Sequence, residues 1–406
     1  MTELTGRSVF SGKLLGIRIE GDRIDRVEEI SPAPPGSAEG GGYPAGESGI
    51  PFVSPGFLDL QVNGFNGVDY SLDDLSADNI ETLVLRLAQS GTARHVPTFV
   101  TMPPARLLRN LSLAADTMEK RPVVKAGIAG FHLEGPFISA EDGPRGAHDK
   151  SCVRLPDFSF IEKCQEAARG LIKLVTLAPE LPGAAECIRA LAGSGIRAAI
   201  GHSAAAPGDI RKAVLAGASA STHLGNGSHA MLPRLKNYIW EQMAEDSLWA
   251  GIICDGFHLP PAVVKVISRA KGAERLFMVS DAALFGGYKP GLYKWGNVEV
   301  EVFDDGHLGL PGTGALAGAA HLLDWDIARY MDFTGASLKE ALALCTVQPA
   351  RFLGLDVSGY EDFRPGNPAD LTIFFYSPGD ERLGIRRTLA GGKTVFAAGE
   401  SIGVVR

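Results

Sequence analysis

The chain has 406 residues, of which 45% are hydrophobic and 21% charged, with a net charge of -8. This exceeds one ordinary small domain, and the composition is that of a globular chain able to bury a large core, which excludes disorder as its main theme. The acidic balance offers no basic surface for nucleic acid, and no apolar run approaches the roughly 20 residues of a membrane span.

From the N-terminus, Met1 to Ile19 interleaves Glu3, Arg7, Lys13 and Arg18 with short apolar pieces and lacks the apolar core of a signal peptide. Cys152, Cys164, Cys187, Cys254 and Cys345 contain no CxxC pair, so they read as small buried apolar residues in a reducing cytoplasm. Val9 to Ser11, Leu15 to Glu20 and Ile24 to Glu29 alternate around a Gly21-Asp22 turn and predict a β-meander. Pro32 to Gly49, rich in Pro, Gly, Ser and Ala, predicts an irregular connection.

Beyond it, short apolar runs alternate with helical patterns. Predicted strands are Gly56 to Val62, Ala93 to Thr101, Val124 to Leu133, Ile172 to Ala178, Ala198 to His202, Ala220 to Leu224, Leu248 to Cys254 and Arg275 to Ser280. Predicted helices are 77–90, 104–119, 183–194, 207–216, 260–271 and 337–353. About eight such strand units close a parallel (β/α)8 TIM-like barrel. After the last helix, Leu371 to Tyr376, Ile385 to Ala390 and Thr394 to Ala398 return to strand pattern. The expected architecture is therefore a small β-sandwich from residues 1–54 and 356–406, with the barrel of residues 55–355 inserted between its halves.

Barrel active sites sit at the C-terminal ends of the strands. Asp59, Gln61, Asn63, His132, Glu134, His202, His223, Asp255, His258 and Asp281 all fall at predicted strand ends. Taken singly, a histidine in a barrel is more often a satisfied buried polar group than a ligand. Two imidazoles and a carboxylate at successive strand ends make that bland explanation much weaker. Glu134, His202 and His223 suit one divalent cation with an open position for water. Asp281 is then the candidate base for that water and acid for the leaving amine.

The segments Pro55-Gly56-Phe57-Leu58-Asp59-Leu60-Gln61-Val62-Asn63-Gly64, His132-Leu133-Glu134-Gly135-Pro136-Phe137, Gly201-His202-Ser203, Thr222-His223-Leu224, Asp255-Gly256-Phe257-His258 and Val279-Ser280-Asp281-Ala282 resemble the N-acetylglucosamine-6-phosphate deacetylases of the amidohydrolase superfamily. The resemblance spans about residues 50 to 355, and HLEGP is its most specific part. It implies the same metal ligands and the same acid/base. It also implies a sugar contact at Ala147 and His148, further contacts at His258 and at the backbone of Leu316, Ala317 and Gly318, and a homodimer whose partner subunit is a candidate to complete the phosphate pocket. Gln61 and Asn63 stand where many amidohydrolases carry His-x-His for a second metal, which implies a single ion. Zinc is the expected ion, and the ligand set also accepts iron, manganese or cobalt.

For phosphate, the resemblance points to Asn226, Gly227 and Arg234. The family's aromatic before Asn226 is missing, and Ser228 and His229 have no counterpart. The expected reaction is hydrolysis of an N-acetylhexosamine phosphate to acetate and amino-sugar phosphate. The alternatives are an amidohydrolase for an unphosphorylated N-acetyl sugar or N-acyl amino acid, and a non-catalytic sugar sensor, which would have no use for Asp281.

Overall fold

The computed structural model describes residues 1–31, 49–295, 298–357 and 363–400. Most of the predicted connection Pro32 to Gly49 lies outside the described residues. Eight strands form one sheet in chain order: Phe57–Val62, Thr92–Val100, Phe131–Glu134, Ile172–Leu177, Arg197–Ile200, Ala218–Ser221, Trp249–Ile252 and Leu276–Met278. Every neighbouring pair is parallel. A bridge between Val62 and Ala282, with Asp281 N–H donating to the Gln61 carbonyl at 3.0 Å, joins the first strand to the eighth at the C-terminal rim. Lower down, the carbonyls of Cys345 and Leu344 accept from the N–H groups of Leu58 and Met278, each within 2.9 Å, and fill the remaining gap.

Those two carbonyls explain a departure from the predicted helix 337–353, which is two helices, Leu338–Ala343 and Val347–Leu353. Pro349 has no N–H to claim the Cys345 carbonyl in an α-helix, so that carbonyl is free to bind the barrel strand. The predicted strand Val124 to Leu133 is likewise shortened. Pro122, at the first helical position, starts a short helix Pro122–Gly127, and only Phe131–Glu134 pairs as strand. Val9 to Ser11, expected as strand, is the turn after the observed strand Thr2–Ser8. Helices Phe158–Ala167, Tyr238–Ala244 and Leu323–Thr334 are additional.

The chain ends form one hydrogen-bonded seven-stranded sheet, in the spatial order Lys393–Ala397, Gly384–Ala390, Leu371–Phe375, Phe52–Pro55, Thr2–Ser8, Leu14–Glu20 and Arg23–Glu29. It curls until Asp22 and Ile24 exchange backbone bonds with Asn367 and Ala369, enclosing a core that includes Leu4, Ile17, Ile24, Leu371 and Leu389. Phe374 fixes this sheet to the barrel, packing on Phe52 and Phe57 with ring centroids 5.7 and 6.4 Å away. Fully buried Phe374→Ala should cost about 3–5 kcal/mol, read as a lower midpoint in chemical denaturation; an unchanged midpoint would exclude this contact as the anchor.

Between the eighth barrel strand and helix Leu323–Thr334 lies a small antiparallel sheet of Gly291–Trp295, Val298–Val302 and Leu308–Gly309. Its signal was present in the sequence, since Val298-Glu299-Val300-Glu301-Val302 alternates after a Gly296-Asn297 pair, but a barrel-only reading passes over it. Trp295, Val298 and Leu316 from this insertion overhang the barrel mouth.

Candidate active site

Strand alternation sends Phe131 and Leu133 outward into the helix-facing core, while His132 and Glu134 face the barrel axis. Beneath the mouth, Leu60, Leu174, Ala199, Ala220 and Phe277 fill the interior, so polar groups collect above this layer. His132 sits between the hydroxyls of Thr98 and Thr176 at 3.3 and 2.8 Å, and burial drives its pKa down to about 4. It serves as a neutral structural imidazole.

Above it, Glu134 Oε1 lies 3.1 Å from His202 Nε2 and 3.0 Å from His223 Nε2, and the two histidine atoms are 3.0 Å apart. All three residues are buried. Ligand atoms at about 2.0 Å around a tetrahedral ion sit ~3.3 Å from one another, close to this spacing. The second ring nitrogens decide what the site accepts. His202 Nδ1 lies 2.9 Å from the Pro144 carbonyl, which can only accept, so Nδ1 carries the hydrogen and a neutral ring turns its Nε2 lone pair toward Glu134. Lone pairs and a carboxylate converging on one point demand positive charge, so these residues fit a divalent cation.

The backbone is bent to achieve this. Among the described residues, only Asn66, Arg169, His202, His223 and Asp281 have positive φ without being glycine, and three of the five are site residues at strand ends. Strained residues persist where surrounding structure over-determines them, and such positions cluster at functional sites.

Asp281 Oδ1 accepts from Asn63 Nδ2 at 2.7 Å and Gln61 Nε2 at 2.9 Å, and the same Gln61 amide donates to Glu134 Oε1 at 2.9 Å. Burial and the charge of Glu134 push the Asp281 pKa up to about 6. The Gln61 amide thus lies between two carboxylates, where its two hydrogens reduce their repulsion.

A cavity of about 1030 Å³ opens above these groups, lined by Asn63, Glu134, His202, His223 and Asp281 among others. Of the residues expected to touch substrate, Ala147, His148, Asn226, Gly227, His258, Leu316 and Gly318 also line it. His148 is neutral, its pKa driven to about 3 by burial, with Nδ1 2.9 Å from the Thr101 hydroxyl. Gly227 has φ +54, and a Cβ there would lie 2.8 Å from His202 Nδ1, so glycine is the residue that fits.

Ala317 and Arg234 are not among the residues that line the cavity of a single chain. Ala317 is buried in the core of the inserted sheet, whereas Thr313, Gly314, Ala315, Leu316 and Gly318 around it line the cavity. Arg234 is exposed on the outward-running segment after Ala230 and does not line the cavity within one chain. The cations that do line it are Arg106, Arg145 and Lys150, all missed by a search confined to strand ends. Thr101 ends the second predicted strand run and could have been included on that signal. His229 also lines the cavity, with Nε2 3.1 Å from Glu141 and its N–H donating to the Tyr238 hydroxyl at 2.9 Å, so it clasps two mouth loops. Outside the site, His95 pairs with Tyr70 at 2.7 Å. No cysteine is in a disulfide, and four of the five are buried.

No family model matches the chain. It is 34% identical to the N-acetylglucosamine-6-phosphate deacetylase of Bos taurus, over 86% of this chain and 84% of that protein. The chain belongs to the N-acetylglucosamine-6-phosphate deacetylase family. This makes it an amide hydrolase of the amidohydrolase superfamily. The N-acetylgalactosamine-6-phosphate deacetylase of Escherichia coli O157:H7 is 29% identical, over 79% of this chain and 82% of that one. Among solved structures, the N-acetyl-D-glucosamine-6-phosphate deacetylase of Mycobacterium smegmatis superposes with a TM-score of 0.82 at 28% identity, covering 97% of this chain and 99% of that one. That structure is of a mutant in complex with N-acetyl-D-glucosamine-6-phosphate.

Proposed function

We propose that this chain hydrolyses the acetamide of N-acetylglucosamine 6-phosphate, or of a closely related N-acetylhexosamine phosphate, to acetate and the amino-sugar phosphate. The observation that carries this reading is the convergence of Glu134, His202 and His223 beside Asp281 in a chain of this family. A divalent cation held by the three ligands, with zinc favoured by the imidazole pair, supplies Lewis acidity that lowers the pKa of water and polarises an amide carbonyl. Asp281, aimed by Gln61 and Asn63, takes a proton as water oxygen bonds to the carbonyl carbon. As the carbon–nitrogen bond breaks, Asp281 gives that proton to the departing nitrogen. His148 and the backbone around Leu316 and Gly318 hold the sugar over these groups.

On this reading the phosphate lies against Asn226 and Gly227, which line the cavity where Gly225 and Gly227, both at positive φ, turn the loop. Arg234 lies beside exposed Met231, Leu235 and Trp240, at 90%, 76% and 47% exposure. Such a run of apolar side chains supports a homodimer whose partner copy brings Arg234 to this end, with light scattering as its check. No helix among the described residues is long and apolar enough to cross a membrane, and the proposed compartment is the cytoplasm.

Acetate release should be much faster from N-acetylglucosamine 6-phosphate than from N-acetylglucosamine, by at least about tenfold in kcat/KM for a charge-assisted phosphate contact. Equal rates on the two would remove phosphate recognition. The similarity to the galactosamine enzyme makes N-acetylgalactosamine 6-phosphate the third substrate of that assay.

A further inference from the structure

The buried carboxylate of Asp255 is committed to one neighbour. The seventh barrel strand, Trp249–Ile252, leads into Asp255, and Gly256 at φ +91 turns the chain back tightly enough for residues 255 and 258 to meet. Asp255 Oδ1 accepts from the N–H groups of Phe257 and His258, both at 2.9 Å, and Oδ2 lies 2.7 Å from His258 Nδ1. The Asp255 carbonyl accepts the indole N–H of Trp325 at 3.0 Å, tying the turn to helix Leu323–Thr334. Phe257 stacks on His307 and His321, with centroids 5.0 and 5.8 Å away.

Both side chains of the pair are nearly inaccessible, at 5% for His258 and 2% for Asp255. Burial alone would raise the Asp255 pKa, but the His258 ring and the two N–H groups more than offset it and hold the carboxyl below its ordinary value. A carboxylate accepts and never donates, so His258 Nδ1 carries the hydrogen. The other ring nitrogen, Nε2, is left for the cavity, whose wall His258 shares with Asn226 and Asp281.

We propose that Asp255 is a positioning residue for substrate binding: it locks His258 in the Nδ1–H tautomer, so that Nε2 accepts a hydrogen bond from a hydroxyl of the sugar. The two side chains then act as one unit. This rests on the deacetylase reading above and deepens it, because it assigns a specificity role to a residue that touches no substrate. An asparagine at 255 would present an amide N–H to Nδ1, invert the tautomer and turn Nε2 from acceptor into donor.

The test is steady-state kinetics on N-acetylglucosamine 6-phosphate for Asp255→Asn, His258→Gln and the double variant, with metal content measured throughout. Each single change should raise KM about tenfold, the scale of one lost hydrogen bond, while kcat and metal content stay close to wild type. The double variant should be no worse than the more damaging single, because the second change removes an interaction already lost. Additive losses, or an unchanged KM in Asp255→Asn beside a raised one in His258→Gln, would overturn the proposal. An independent measurement covers a variant that fails to fold. Nitrogen NMR of the wild-type histidines should show one ring protonated at Nδ1 alone that shifts when N-acetylglucosamine 6-phosphate binds, and the Nε2–H tautomer or a doubly protonated ring at His258 would sink the idea. If the wild type releases no acetate from this sugar phosphate, the deacetylase reading fails, while the tautomer result still decides the role of Asp255.

Discussion

Asp281→Asn lowers kcat by about 10²- to 10⁴-fold and leaves one metal ion per subunit, the expected outcome if Asp281 moves the proton and Glu134, His202 and His223 hold the cation. The variant isolates chemistry from structure because asparagine Oδ1 can keep both bonds that Asp281 Oδ1 now accepts, from Gln61 and Asn63. What disappears is the capacity to take up and return a proton. Elemental analysis and single-turnover kinetics on the same preparation check this, and near-wild-type turnover would refute the mechanism. The base must be ionised to act, so kcat/KM should fall as pH drops through the Asp281 pKa of about 6. A cation held beside it favours the carboxylate and moves this acid limb to lower pH. The limb should be absent from the residual activity of Asp281→Asn.

His223→Ala has the second large effect. It removes one of the three converging groups proposed to hold the cation and leaves Glu134 Oε1 with His202 and Gln61 as its remaining partners at the site. Metal content should fall from one ion per subunit to near zero after dialysis against a weak chelator, with activity lost in parallel. Stability gives a separate readout. A ligand at a thousandfold excess over its Kd stabilises the folded state by about 4 kcal/mol. Strong chelation should therefore lower the melting temperature of the wild type and leave that of His223→Ala unchanged. Full metal occupancy in His223→Ala would take His223 out of the ligand set.

Much of the site was legible in one dimension because a parallel barrel converts sequence position into spatial position: whatever follows a strand faces the common rim. Glu134, His202, His223 and Asp281 could be picked out on that ground with no knowledge of distances. Arg234 shows where the logic stops, since its direction depends on how the segment 231–236 leaves the rim. Asp255 shows the complementary case. Its spacing to His258 was visible, but the 2.7 Å contact between them follows from a turn that Gly256 permits and Trp325 holds.

The sequence by itself determined the alternation of strands and helices, the inward polar residues at strand ends, and thereby the class of chemistry, because periodicity and residue type are local properties. Only the tertiary structure decided that Gln61 and Asn63 aim Asp281, that the Pro144 carbonyl sets the tautomer of His202, and that Leu344 and Cys345 complete the barrel wall. Each of these joins residues dozens to hundreds of positions apart. Hydrogen bonds of that kind depend on directions and on distances within a few tenths of an ångström, which closure of the barrel imposes and no local pattern encodes.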